Sequence, residues 1–119
     1  MHGATGTVHL AEQPATGALV ALKVVPLPHG AAASAAGRHF LDAAHAAMRL
    51  RHPDIVMVLD AGVSHDRAWL SMEPVPGTDL ARYTRPPRLL PEALVLRIGA
   101  RLALALGHAH EQGVIHRDL

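Results

Sequence analysis

Cysteine is absent from all 119 residues, which excludes disulfides and thiolate zinc sites and suits a reducing compartment. Aromatic side chains are almost as scarce. Phe40, Trp69 and Tyr83 are the only ones, so a core must be built from Leu, Val, Ala and Met, and no stacking platform for nucleic-acid bases is visible. The formal net charge of +1 leaves no basic footprint either, so no nucleic-acid partner is expected. Long apolar runs are missing too: Arg97, Arg101 and His108 interrupt the longest one, so no transmembrane segment is expected. Met1-His2-Gly3 lacks the basic start and apolar run of a secretion signal, and a cytoplasmic location is the expectation. What is present is a hydrophobic content of 50%, enough for a folded domain. The ten histidines are scattered, and His108 and His110, two apart on a predicted helix, diverge. They read as solvated or capping residues, and no metal ligand is assigned among them.

Along the chain, Gly6–Glu12 reads as a strand with Thr7, His9 and Ala11 on one side and Val8 and Leu10 on the other. Gln13-Pro14-Ala15-Thr16-Gly17 supplies a turn, and Ala18–Val25 returns as a second strand stopped by Pro26 and Pro28. From Ser34, a candidate N-cap, the pattern becomes helical. Phe40, Ala44, Ala47 and Leu50 recur at helical spacing, and Pro53 ends the run. Two further strands, Ile55–Leu59 and Ala68–Met72, are separated by the turn residues Gly62, Ser64, His65 and Asp66. Glu73-Pro74-Val75-Pro76-Gly77 blocks strand and helix alike and makes a stiff connector. Beyond it come a short helix over Thr78–Tyr83, a loop at Arg85–Arg88, and a long helix over Pro91–Gln112 capped by Gly113. Leu94, Ile98, Leu102, Ala105 and Ala109 form the apolar stripe of that helix. Leu96, Leu104 and Leu106 widen it, so the helix expects protein on more than one side.

The sole lysine, Lys23, sits inside Leu19-Val20-Ala21-Leu22-Lys23-Val24-Val25, where an ammonium group has no packing reason to be. It either meets an anion or snorkels from an edge strand to water. Upstream, Gly3 and Gly6 lie three apart before Val8. Glycines let backbone N–H groups approach phosphate oxygens, although such a pair is also common in ordinary turns. At the other end the long helix and the turn Gly113-Val114-Ile115 lead into His116-Arg117-Asp118-Leu119.

Taken together these segments resemble the protein kinase family, and the resemblance spans nearly the whole chain. Gly3-Ala4-Thr5-Gly6-Thr7-Val8 is similar to the second half of the glycine-rich loop, with Met1 where the first glycine would stand. Val20-Ala21-Leu22-Lys23 resembles the lysine strand, Met72-Glu73-Pro74-Val75 the hinge, and His116-Arg117-Asp118-Leu119 the start of the catalytic loop. The resemblance implies an α+β fold: a small lobe over residues 1–72, an antiparallel sheet plus one helix lacking its first strand, a hinge over 73–79, and the start of a mainly helical large lobe over 80–119. It implies transfer of the γ-phosphoryl group of ATP, with Mg²⁺, to protein hydroxyls, serine or threonine rather than tyrosine, so the partners are ATP and a protein substrate. The composition suits a bacterial, high-GC gene. In the site so implied, Lys23 holds the α- and β-phosphates, Gly3, Gly6 and Val8 cover the nucleotide, and Ala21 leaves room for adenine. Met72 is the gatekeeper, Glu73 offers a carbonyl to adenine and Val75 an N–H. Asp118 takes or orients the proton of the attacking hydroxyl, Arg117 pairs with a phosphorylated activation segment, and His116 is mainly structural.

Two departures qualify this. The glutamate that would orient the lysine is replaced by Ala43, with Asp42 about 100° away around an ideal helix. A pseudokinase, a non-catalytic nucleotide-binding or interaction module, is therefore the competing reading. The magnesium ligands, a catalytic-loop Asn and the Asp of D-F-G, are expected beyond Leu119, which implies an incomplete kinase domain that is inactive as this fragment.

Overall fold

A computed structural model of the chain describes residues 2–3, 6–29 and 31–115. A two-residue strand, β1 (His2–Gly3), precedes β2 (Gly6–Glu12) and β3 (Leu19–Pro26), and a helix, α1 (Ala31–Met48), follows. β4 (Val58–Ser64) and β5 (Arg67–Met72) come next, then a 3-10 turn at Leu80–Tyr83 and the long helix α2 (Glu92–Glu111). All strand pairings are antiparallel, in the order β1-β2-β3-β5-β4, and α1 packs on β4 and β5. The expected α+β class, an antiparallel sheet with helices, is found.

The β2–β3 hairpin forms as the turn chemistry demands. The Gly17 N–H donates to the Gln13 carbonyl at 2.8 Å, and Gly17 takes the left-handed φ of 71° that glycine adopts without strain. β3 runs one residue further than expected, since Pro26, whose ring only removes a donor, closes the strand opposite Arg67. α1 begins at Ala31, not after a Ser34 cap. Alanine is the strongest helix former, so the alanine run carries the helix back past Ser34. Its sheet-facing side is made of small residues: Ala44 is 4% exposed, and a Cβ on Gly37 would already stand 3.4 Å from Val63.

The largest correction concerns β4, expected at Ile55–Leu59 and found at Val58–Ser64. Residues 52–55 are bent into a turn, with the Asp54 N–H donating to His52 Nδ1 at 3.0 Å and the Ile55 N–H to the His52 carbonyl at 3.2 Å. That turn takes the apolar Ile55 and Val56 out of the ladder. At the other end the strand continues through Gly62, because a Cβ there would lie 2.6 Å from the Trp69 ring on β5. The connection shrinks to His65 and Asp66, with His65 at φ 32°.

The short helix expected over Thr78–Tyr83 is a 3-10 turn over Leu80–Tyr83, capped by an Asp79 carboxylate that accepts from the Ala81 N–H. Pro91 is the N-cap of α2 rather than a residue of its first turn, which suits a residue with no N–H to donate. At the far end the Gly113 N–H donates to the His110 carbonyl and the Val114 N–H to the Ala109 carbonyl. With Gly113 at φ 80°, this is a Schellman ending. Ala105 and Ala109 are buried, whereas Leu96 and Leu104 stay 67% and 71% exposed. The apolar surface of α2 is thus wider than the part the described residues cover. Val20, Leu27, Leu50 and Ala68 complete the buried set, and burying a leucine such as Leu50 contributes roughly 1.5–3 kcal/mol.

Candidate nucleotide site

Strand register gathers the expected nucleotide residues on one face of the sheet. Lys23 on β3 lies opposite Val8 on β2 and Leu70 on β5, and Ala21 lies opposite Leu10 and Met72. Opposed residues share a face and alternate residues return to it, so Val8, Ala21, Lys23 and Met72 line one side. Val63, which α1 touches through Gly37, belongs to the same side through its pairing with Ala68 and, beyond that, Val25. The helix therefore covers one end of the face that carries Lys23.

Lys23 is half-buried, and among the described residues its side chain makes no hydrogen bond or ion pair. Asp42 and Ala43 are both exposed. They line a cavity of about 440 Å³ with His39, Ala46 and the segment Gly113–Ile115, so the nearest acidic residue of α1 opens onto that cleft and does not pair with Lys23. Met72 borders a second cavity, of about 400 Å³, whose walls include Leu50, Ile55, Leu102, Leu106 and Val114. Met72 thus belongs both to the face that carries Lys23 and to the wall of this apolar cavity.

In the glycine loop Gly3 pairs with Gly6. A Cβ on Gly6 would fall 2.2 Å from the Val24 carbonyl oxygen, so this glycine is required by the close approach of β3 whether or not a phosphate is present. Ala4 and Thr5, between the two glycines, lie outside the described residues, as do His116, Arg117, Asp118 and Leu119.

At the connector, β5 ends with Met72. The Glu73 N–H donates to the Met57 carbonyl at 3.0 Å, and the Glu73 Oε1 accepts from the Met57 N–H at 2.8 Å. The Glu73 carbonyl and the Val75 N–H take part in no hydrogen bond among the described residues, and Val75 is 66% exposed. A lone cation, an open carbonyl and an open N–H are the complement of an adenine nucleotide, so the chain's donor and acceptor set fits ATP. Among the described residues no group of three or more His, Cys, Asp or Glu side chains is placed to hold a metal ion. No described helix is long and apolar enough to cross a membrane.

Sequence reasoning missed one tie near the site. Arg101 on α2 grips both carboxylate oxygens of Asp54, with Nε to Oδ2 at 3.0 Å and Nη2 to Oδ1 shorter. The rings of His52 and His108 stand beside it, 5.2 Å apart. Nothing local signals a pair 47 positions apart, and Arg101 reads in the sequence only as a break in an apolar run. The hydrogen bonds from Arg101 hold the Asp54 carboxyl below its usual 3.8, and the partner's guanidinium is raised in turn. A carboxyl lowered on folding contributes stability that is complete above its unfolded value and lost as pH falls through the lower folded value. The gap in melting temperature between the chain and its Arg101→Gln variant should therefore be full near pH 6. It should close as pH drops below 3.8, and a gap unchanged by acid would mean that the pair contributes nothing.

The protein kinase domain family matches residues 2–119. Among curated proteins the chain is 37% identical over 118 residues to the serine/threonine-protein kinase PknI of Mycobacterium tuberculosis, covering 98% of this chain and 20% of that protein. It is 38% identical over 117 residues to pkn2 of Myxococcus xanthus, covering 98% of this chain and 14% of that protein. Against PkaA of Streptomyces coelicolor the figures are 37% over 128 residues, with 98% and 23% covered. The chain thus spans between 14% and 23% of the length of these relatives. Among solved structures, that of Rad53 1-466 in complex with AMP-PNP superposes with a TM-score of 0.80 at 25% identity, over 98% of this chain and 30% of that one. Sheet order, strand register and family match agree: the chain belongs to the protein kinase domain family.

Proposed function

We propose that this chain is the ATP-binding part of a serine/threonine protein kinase, within a larger protein that transfers the γ-phosphoryl group of ATP to protein hydroxyls. The observation that carries the reading is Lys23: the only lysine of the chain, on the face shared by Ala21 and Met72, with no protein partner among the described residues. Residues 1–72 serve as the small lobe, 73–79 as the hinge and 80–119 as the start of the large lobe. The setting is cytoplasmic.

In this scheme Lys23 binds phosphate oxygens, and Gly3 and Gly6 let backbone N–H groups come close to them. Val8 and Ala21 pack on the base, the Glu73 carbonyl accepts from its amine, and the Val75 N–H donates to the ring. Asp118 accepts the proton of the attacking hydroxyl. Arg117 holds an activation-segment phosphate. Bound ATP would supply the group transferred, and magnesium would neutralise its charge. Positioning is most of what such catalysis uses, and a Lys23 side chain with no acidic partner among the described residues supports the second reading, a pseudokinase that binds nucleotide without turning it over.

Incubation of the full-length protein with ATP, Mg²⁺ and a generic protein acceptor separates the two: phosphoserine or phosphothreonine appears for a kinase, and bound nucleotide without transfer marks a pseudokinase. The isolated 119-residue chain should transfer nothing under the same conditions. Turnover by it that disappears on Asp118→Ala would mean that residues within this chain supply the metal site.

A further inference from the structure

Met57 and Glu73 stand next in register after the last β4–β5 pair, Val58 with Met72. Directly opposed residues at a hydrogen-bonded antiparallel position normally exchange two backbone bonds, each N–H to the other's carbonyl. Only half of that exchange is made here. The Glu73 N–H reaches the Met57 carbonyl at 3.0 Å, but the Met57 N–H goes to Glu73 Oε1 at 2.8 Å, and the Glu73 carbonyl is left with no partner among the described residues.

We infer that the Glu73 carboxylate stands in for its own backbone carbonyl in the ladder, and so keeps that carbonyl open as the acceptor for the 6-amino group of the bound purine. The inference rests on the nucleotide reading above and assigns a positioning role to a side chain that would not itself touch the ligand. Pro74 and Pro76 have no N–H, and the connector 73–77 makes no other hydrogen bond among the described residues. The hydrogen bonding that seats it against residues 53–57 therefore comes from this one residue. A carboxylate accepting from a backbone N–H is a charge-assisted bond and outcompetes a neutral carbonyl for the same donor. Without the carboxylate the N–H of the exposed Met57 would be left to water or to the Glu73 carbonyl, the acceptor that the ladder itself offers. The strand pair would then extend by one position and close the purine's acceptor.

The test compares binding of ATP with that of purine riboside triphosphate, which lacks the 6-amino group, to the full-length protein and its variants in this chain, by competition against a fluorescent adenine nucleotide without magnesium. The unaltered protein should prefer ATP by about tenfold, the worth of one good hydrogen bond. Glu73→Gln keeps an oxygen at the accepting position and should keep the preference. Glu73→Ala should bring the two triphosphates to near parity, chiefly by weakening ATP. A Glu73→Ala preference equal to that of the unaltered protein, or equal losses in both variants, overturns the inference while leaving nucleotide binding intact. An unaltered protein that binds neither triphosphate overturns the nucleotide reading and this inference with it. Thermal unfolding of Glu73→Ala within a few degrees of the parent separates a lost acceptor from a lost fold.

Discussion

Replacing Lys23 with alanine in the full-length protein is expected to lower phosphoryl transfer by at least about 100-fold, the usual cost of removing a charge aimed at a developing oxyanion. The fold should survive. The Lys23 side chain makes no hydrogen bond or ion pair among the described residues, and its strand is held by the backbone ladder to Val8 and Leu70. A half-buried ammonium without a partner is a cost to folding rather than a gain, so the variant's melting temperature should stay level or rise slightly. Radiolabelled transfer together with a thermal melt reads both. Transfer retained above a tenth of the parent rate would remove Lys23 from the site, and a collapsed melt would show that its role is structural.

Ala43→Glu should act in the opposite direction. Ala43 is exposed on α1, on the turn of helix that borders the cleft facing Gly113–Ile115, and the kinase pattern places at this position the carboxylate that orients the lysine. A glutamate here gives Lys23 a fixed partner and is expected to raise the transfer rate by about tenfold, the equivalent of about 1.4 kcal/mol of better positioning. Asp42→Ala should change the rate less than twofold. The carboxylate of Asp42 is one methylene shorter, lines the same cleft, and makes no ion pair among the described residues. A large loss of activity in Asp42→Ala would instead show that α1 turns to bring Asp42 onto Lys23 in the working state, and Ala43→Glu would then gain nothing.

The sequence is most legible where a single residue type leaves the backbone no alternative. Gly17 and Gly113 mark a turn and a helix end, and Gly113 takes its left-handed conformation where the pattern of α2 runs out. The period of two along β3 puts Ala21 and Lys23 on one side, and register then adds Val8 and Met72. Legibility fails where two signals compete. Ile55–Leu59 has the composition of a strand, but the His52 ring and carbonyl capture the N–H groups of Asp54 and Ile55 and bend the chain first. Ser34 has the chemistry of a cap, but the alanines before it already favour helix. The segment 73–77 is readable as a stiff connector from its prolines. The use of the Glu73 side chain is not, because it depends on a residue sixteen positions away. The Asp54–Arg101 tie is hidden for the same reason.

Trp69 is the only tryptophan of the chain, and it lies over Gly62 in register with Val24. Strand alternation puts it on the opposite face of the sheet from Lys23. Intrinsic fluorescence excited at the red edge therefore comes from one chromophore in one place. Its emission follows the loss of the β3–β5–β4 pairing as the sheet melts, with no second indole to blur the signal. The same placement makes it a poor witness to the nucleotide, since quenching falls away through the thickness of a sheet. A change in tryptophan emission on adding ATP would have to be transmitted through the strands themselves, and would report deformation of the sheet rather than occupancy of the site.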